Sequence, residues 1–293
     1  MNKILGSKKN IAVFVAPTTL ILIVFVLLPI FYNFYLSFFR TDLMSPSQWI
    51  GFTNYINLFR DKFFLKGLRN NIILVVCSMI AHLGIGLLFA NLLFKVVKGA
   101  KFFQSVFFLP SVICGVAIGM MFNFIYHFDF GLVNKALELL HLSQYTHAWL
   151  HEPQTAMYAV AFVVMWRFVG YHMVIQLAAM KSIPADLFES AAIDGATRWQ
   201  QFSHITFPLI KHIFRIDAVM VITGSLKYFD LVYAMTKGGP NHASEVLATY
   251  LFTQGFRNLK YGYASAIGII MLLLCVLSIF LVNTFIRTEK LEY

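Results

Sequence analysis

The chain alternates between long runs without a charged residue and shorter stretches where charges collect. Ile11 to Phe39, Asn70 to Phe94, Phe102 to Phe128 and Tyr261 to Ile286 contain no Asp, Glu, Lys or Arg. A bilayer core is crossed by about 20 apolar residues in a helix, so each run predicts a membrane span with some tilt. Thr155 to Met180 is interrupted only by Arg167. Leu209 to Met235 contains Lys211, Arg215, Asp217, Lys227 and Asp230, yet Ala218 to Leu226 between them is uncharged, and this stretch is read as a further span. The pattern predicts an all-α polytopic membrane protein. It has six transmembrane helices, over about 11–39, 70–94, 102–128, 155–180, 209–235 and 261–286, in a single domain over 1–293.

The segments between the spans are unequal. Phe52, Tyr55, Ile56 and Phe59 are helically spaced and predict a short interfacial helix. Leu132, Ala136, Leu139 and Leu140 form a similar apolar face. Thr236-Lys237-Gly238-Gly239-Pro240 cannot continue a helix and marks a turn. From Ile183 to Pro208 the pattern is a helix, a break and a second helix. Pro184 opens it, Asp186 serves as its cap, Asp194-Gly195 bends it, and Ala196 to Phe202 resumes it. Such a segment either lies on lipid headgroups or presents a rigid surface to a partner.

Composition agrees with a membrane protein: 59% of residues are hydrophobic and only 12% charged, about half the usual charged share. The 23 Lys and Arg against 13 Asp and Glu are spread along the chain. That excess fits loops beside an anionic bilayer rather than a nucleic-acid surface. Lys3, Lys8 and Lys9 precede a first run too long for a signal peptide's core and without a cleavage pattern, so it reads as an uncleaved span. Lys95, Lys98 and Lys101 crowd one short segment, while only Lys135 lies between Asp129 and Pro153. This places both termini in the cytoplasm by the positive-inside rule, although the cluster from Arg60 to Arg69 pulls the other way. Arg287 and Lys290 fall on the inner side in this reading. Cys77, Cys114 and Cys275 all lie within spans as small packing residues, and His147 and His151 lack a third partner for a metal.

Ionisable groups at membrane depth face a cavity or a partner. Arg167 lies roughly 18 Å into its span at 1.5 Å per residue. Trp166, Tyr171 and Gln176 lie around it and offer aromatic faces beside a hydrogen-bonding amide. Lining a substrate path and holding helices together are both open for Arg167. Lys227 and Asp230, at i and i+3, can share one face and pair; Thr223 and Tyr228 lie beside them, and Asn123 ends the third span. Asn123, Trp166, Arg167, Tyr171, Gln176, Thr223, Lys227, Tyr228 and Asp230 are thus the substrate-path candidates. Lys211 and Arg215 suit anionic headgroups or a partner at the membrane surface.

Glu189-Ser190-Ala191-Ala192-Ile193-Asp194-Gly195, followed after nine residues by Ile205-Thr206-Phe207-Pro208, resembles the EAA loop of binding-protein-dependent ABC importers. Ser190 replaces an Ala of that pattern and Phe207 a Leu; the spacing is intact. Gly51-Phe52-Thr53-Asn54-Tyr55, Thr236 to Pro240 and Tyr261-Gly262-Tyr263-Ala264-Ser265-Ala266 resemble the sugar-importing branch of the maltose and multiple-sugar type. The resemblance implies a type I permease subunit in a bacterial inner membrane, with a second permease (a heterodimer), two ATPase subunits and an extracytoplasmic solute-binding protein. It implies a carbohydrate cargo, a class that extends to glycerol phosphates and uronates. Glu189, Ser190, Ala191, Ala192, Asp194 and Gly195 would then form the coupling helix that docks on an ATPase. No cofactor is expected in this chain; ATP and Mg would be bound by the ATPases. Consistent with a subunit that is not itself an enzyme, Lys never follows Gly directly, so there is no phosphate-cradling loop, and neither H-E-x-x-H nor G-x-S-x-G occurs. The alternative is a stand-alone secondary transporter or channel, which would usually show repeated halves. No repeat is visible.

Overall fold

The computed structural model describes residues 8–95 and 98–286; Lys3, Arg287 and Lys290 lie outside them. The first apolar run forms α1 (Lys8–Leu22), a π-helical turn over Ile23–Leu27, and α2 (Leu28–Leu36). Pro29 has no N–H to give to the carbonyl four residues back. The ladder widens just before it, with the Leu28 N–H reaching Ile23 O. After a two-stranded antiparallel hairpin, β1 (Phe39–Arg40) with β2 (Gln48–Trp49), come α3 (Thr53–Arg60) and α4 (Lys62–Ser78). A π segment over Met79–Ile85 leads into α5 (Gly86–Phe94). Next are α6 (Ala100–Val112), α7 (Gly115–Ile125), α8 (Leu132–Leu139) and α9 (Ala156–Lys181). They are followed by α10 (Ala185–Ile193), α11 (Arg198–Gln201), α12 (Phe207–Leu226), α13 (Asp230–Met235), α14 (Leu247–Phe252) and α15 (Tyr261–Phe285).

Among the described residues, four helical stretches are long and apolar enough to cross a membrane: Val13–Leu36, Lys62–Phe94, Ala156–Lys181 and Tyr261–Phe285. The pair α6 and α7 adds a fifth if it counts as one broken span. Three expectations change. The second helix begins at Lys62 rather than Asn70, because charges end a hydropathy run without ending a helix. The third run is not one rod: α6 and α7 meet at 96°. Ile113 and Cys114 between them are extended, a break that uniform apolarity cannot reveal. The run from Leu209 to Met235 is also interrupted. α12 ends at Leu226 with Lys227 as its cap, and α13 restarts at Asp230. With Lys211, Arg215 and Asp217 on it, α12 is not among the four apolar stretches.

Residue contacts group into two compact units: residues up to Asp61 with Leu251–Ile270, and Lys62–Tyr250 with the residues from Met271. In the first unit, two of the sequence motifs meet. The Asn54 amide donates to Ser37 O at 2.8 Å and Phe39 O at 3.0 Å. Gly262 lies against the Phe39 carbonyl so closely that a Cβ would collide with it, and the Tyr261 N–H reaches Thr41 O. Tyr263 donates to Asp61 at 2.6 Å.

The second unit is built on α9. Val160, Val163 and Val164 pack with Leu74 of α4, Ile118 and Phe122 of α7, and Leu231 and Val232 of α13. Further along α9, Met173, Leu177 and Met180 pack with Ala90, Leu93 and Ile210. In the segment 129–153, Asn134 is buried. It donates to the Phe128 and His147 carbonyls and accepts the Trp149 indole N–H at 2.7 Å. The Ala148 N–H above all, with a lesser pull from His147, holds the Glu152 carboxyl below its usual range, and burial opposes them. Helices α3 and α8 form where the spacing predicts. Both turn their apolar faces outward: Phe52, Ile56, Leu132 and Leu139 are exposed, while Asn54 and Asn134 point inward. That inversion fits a surface solvated by lipid.

Candidate functional site

The segment after α9 holds the EAA-like residues. Pro184 occupies the N-cap of α10, and Asp186 falls in the first turn instead of serving as the cap. There its charge still complements the helix dipole. The end of α10 is closed by the backbone. The Gly195 N–H bonds to Ala192 O at 3.1 Å and the Ala196 N–H to Ala191 O at 2.9 Å, the Schellman arrangement, with Gly195 at φ +79°. Nothing lies within 4 Å of a Cβ at Gly195, so glycine is required there by conformation rather than space. Thr197 then caps α11 in a reciprocal box with Gln200. A π turn over Phe202–Thr206 runs on into α12, with Pro208 in its first turn.

What this segment presents is apolar as well as charged. Glu189, Ser190, Ala192 and Asp194 are exposed and Ala191 is half-buried. Ile193 is 87% exposed and Trp199 73%. An isoleucine and a tryptophan thus lie open beside a backbone-capped turn.

The path candidates divide. Arg167, Tyr228 and Asp230 come together: one guanidinium nitrogen donates to the Tyr228 hydroxyl at 3.2 Å and to Asp230 at 3.1 Å. The other donates to Ile113 O at 3.0 Å, satisfying a carbonyl freed by the break between α6 and α7. Gly115 lies so close to Asp230 and Arg167 that no Cβ fits. Asp230 therefore pairs with Arg167 across helices rather than with Lys227, which is exposed at the end of α12. Asn123 links α7 to α13, donating to Gly119 O and Ala234 O. Trp166 packs edge-on against Phe122 and Tyr171 stacks on Phe108. The Thr223 hydroxyl bonds back to Val219 O. Gln176 belongs to another cluster, described below.

A family model, "Binding-protein-dependent transport system inner membrane component", matches residues 82–289. The chain belongs to this family. The permease is 40% identical over 276 residues to the "Probable ABC transporter permease protein YurN" of Bacillus subtilis, covering 93% of this chain and 94% of that one. It is 32% identical to the "Probable starch degradation products transport system permease protein AmyD" of Thermoanaerobacterium thermosulfurigenes, covering 91% and 90%. Its fold superposes with a TM-score of 0.82, at 25% identity and 94% coverage of both chains, on a bacterial ABC transporter involved in the import of the acidic polysaccharide alginate.

Sequence reasoning passed over two polar clusters of the permease. In the first, His172 Nδ1 lies 2.6 Å from Asp217, the Gln176 amide donates to the same carboxylate at 2.7 Å, and the His82 ring stacks on His172 at 4.7 Å. Asp217 is fully buried. The signal was present as two ionisable residues in different spans, which only the fold pairs. The second explains the Thr236 to Pro240 motif. Gly238 packs on the buried Glu245 carboxylate, leaving no room for a side chain. Glu245 binds His242 and Thr249. Asn70 holds the Ala243 and Glu245 carbonyls at 2.8 Å each, and Asn71 accepts the Leu247 N–H.

Proposed function

We propose that this permease forms, with a second and different permease, the translocation path for a carbohydrate delivered by an extracytoplasmic binding protein, and that α10 couples the path to one of two ATPase subunits. ATP and Mg belong to those ATPases; this chain positions and transmits. The observation that carries the reading is the exposed helix α10, closed by Gly195 and flanked by Ile193 and Trp199 open to solvent. Small residues at 190–192 let a partner's backbone approach, and Glu189 supplies a charge at the contact. The carbohydrate class is supported by the three sugar-branch motifs and by the named substrates of the starch-product and alginate relatives. A secondary transporter would have no use for such a docking surface.

The test is reconstitution with the cognate ATPases. Glu189→Ala and Gly195→Asp should leave membrane insertion intact and weaken ATPase docking by about tenfold, ~1.4 kcal/mol. For Gly195 part of this is the strain of a side chain at positive φ, about 1 kcal/mol. Transport and substrate-stimulated ATP hydrolysis in liposomes, with protein amount controlled, are the readouts. Full uptake by both variants would remove the coupling role.

The same reading places Lys98 and Arg198 in the cytoplasm and Lys135 and Pro240 outside. Single cysteines at these positions, in a background lacking Cys77, Cys114 and Cys275, should react with an impermeant reagent in intact cells only at 135 and 240. Labelling at 198 would reverse the orientation.

A further inference from the structure

A cavity of about 580 Å³ opens where the ends of two long helices meet the α10–α11 segment. Asn91 and Lys95 reach it from the end of α5, Lys181 from the end of α9, Glu189 from α10, and Arg198 and Gln201 from α11. Three cations thus face one carboxylate. Lys95, Lys181 and Arg198 make no ion pair or side-chain hydrogen bond among the described residues. Lys95 and Lys181 gain something from the carbonyl ends of their helices. Arg198 gains nothing of the kind, because it occupies the first position of α11. All three are exposed at the cavity, so water screens their mutual repulsion in part, and an anion shared among them would remove the rest.

We propose that this cavity is a binding site for an organic phosphate. A phosphate offers two negative charges and several acceptor oxygens, suited to one guanidinium fork and two ammonium groups. The Asn91 and Gln201 amides supply donors for neighbouring hydroxyls. The volume falls in the range of small-molecule sites, roughly 300–1,000 Å³, and exceeds what a bare phosphate fills. Two sources share this chemistry: the headgroup of an anionic phospholipid and a soluble sugar phosphate. Because Glu189 and Arg198 stand on the segment read as the coupling surface, occupancy would also bias that surface. This last step rests on the proposed function; phosphate binding does not.

The experiment uses the full permease assembled with its ATPases in nanodiscs of phosphatidylcholine alone or with phosphatidylglycerol added. Glucose phosphate is titrated by calorimetry in the first, and retained lipid is read by native mass spectrometry in the second. We expect saturable glucose phosphate binding, retained phosphatidylglycerol, or both; whichever probe binds identifies the source. Arg198→Gln should weaken that binding by about tenfold, the worth of a charge-assisted hydrogen bond. The triple change Lys95→Gln, Lys181→Gln, Arg198→Gln should abolish it. In nanodiscs that hold the full-length permease without its ATPases, where Glu189 is exposed as in this structure, Glu189→Gln should instead tighten binding about threefold by removing an exposed like charge, a signature that a purely structural cluster would not give. Should the triple variant fail to fold, the opposite signs of Arg198→Gln and Glu189→Gln still decide. If neither probe binds, or binding is unchanged in both single variants, the site is refuted. That outcome is distinct from failure of the coupling reading, which is judged by uptake.

Discussion

Asp217→Ala is expected to destabilise the permease by about 3 kcal/mol, the cost of leaving buried hydrogen-bonding groups without their partner. The carboxylate is fully buried and accepts from two side chains of α9, His172 at 2.6 Å and Gln176 at 2.7 Å. Removing it strands two donors at once, where no water replaces them. Gln176 keeps its contact to His82 O, which limits the loss. Asp217→Asn is the informative partner. The Gln176 amide donates to both His82 O and the carboxylate, so it keeps its orientation and the new carbonyl oxygen accepts from it. The new amide nitrogen then faces His172 Nδ1, which can accept in its other tautomer. Most of the lost stability should therefore return. Thermal unfolding of the purified permease in one detergent, with abundance in membranes as a second readout, measures both. Equal damage from the two substitutions would show that charge, not hydrogen-bond inventory, is what α9 requires.

The long apolar runs and the EAA-like spacing were legible because each is local: composition along a run decides where a helix can lie in lipid, and residue types at fixed spacing decide a capped turn. Even the conformation of Gly195 could be anticipated, since a glycine after a short helix is the usual way to end it. What could not be read is how helices break and which polar residues meet. Ile113 and Cys114 look like the rest of their run, yet the chain turns through 96° there, and the partner that stabilises the turn, Arg167, lies more than 50 residues away. Lys227 seemed the natural mate for Asp230 on a continuous helix; once α12 stops at Leu226, that geometry vanishes and Asp230 turns to α9. Hydropathy likewise treats Gln176 as a path residue beside Arg167, whereas the helical rotation of α9 delivers it to Asp217. The sugar-branch motifs hold backbone together: Asn54 donates to the Ser37 and Phe39 carbonyls, Gly262 lies against the Phe39 carbonyl, and Gly238 packs on the Glu245 carboxylate.

Gly170→Ala should be the most damaging alanine substitution among the glycines of the long helices, costing about 3 kcal/mol, the upper range for overpacking. A Cβ on Gly170 would fall on the carbonyl of Phe107 and touch the next peptide nitrogen. The obstacle is backbone, so no rotamer change relieves it and α6 must move away from α9. That movement carries Ile113 with it and loosens its bond to Arg167, so the bend between α6 and α7 should become less well fixed. Gly224→Ala supplies the control. It lies within α12, nothing comes within 4 Å of its Cβ, and alanine gains up to about 1 kcal/mol over glycine in a helix interior. One substitution in two helices should thus shift stability in opposite directions. Thermal unfolding and membrane abundance would test this, with exposure of Cys114 to an alkylating reagent reporting on the bend. A tolerated Gly170→Ala would mean that α6 and α9 do not approach this closely in the membrane.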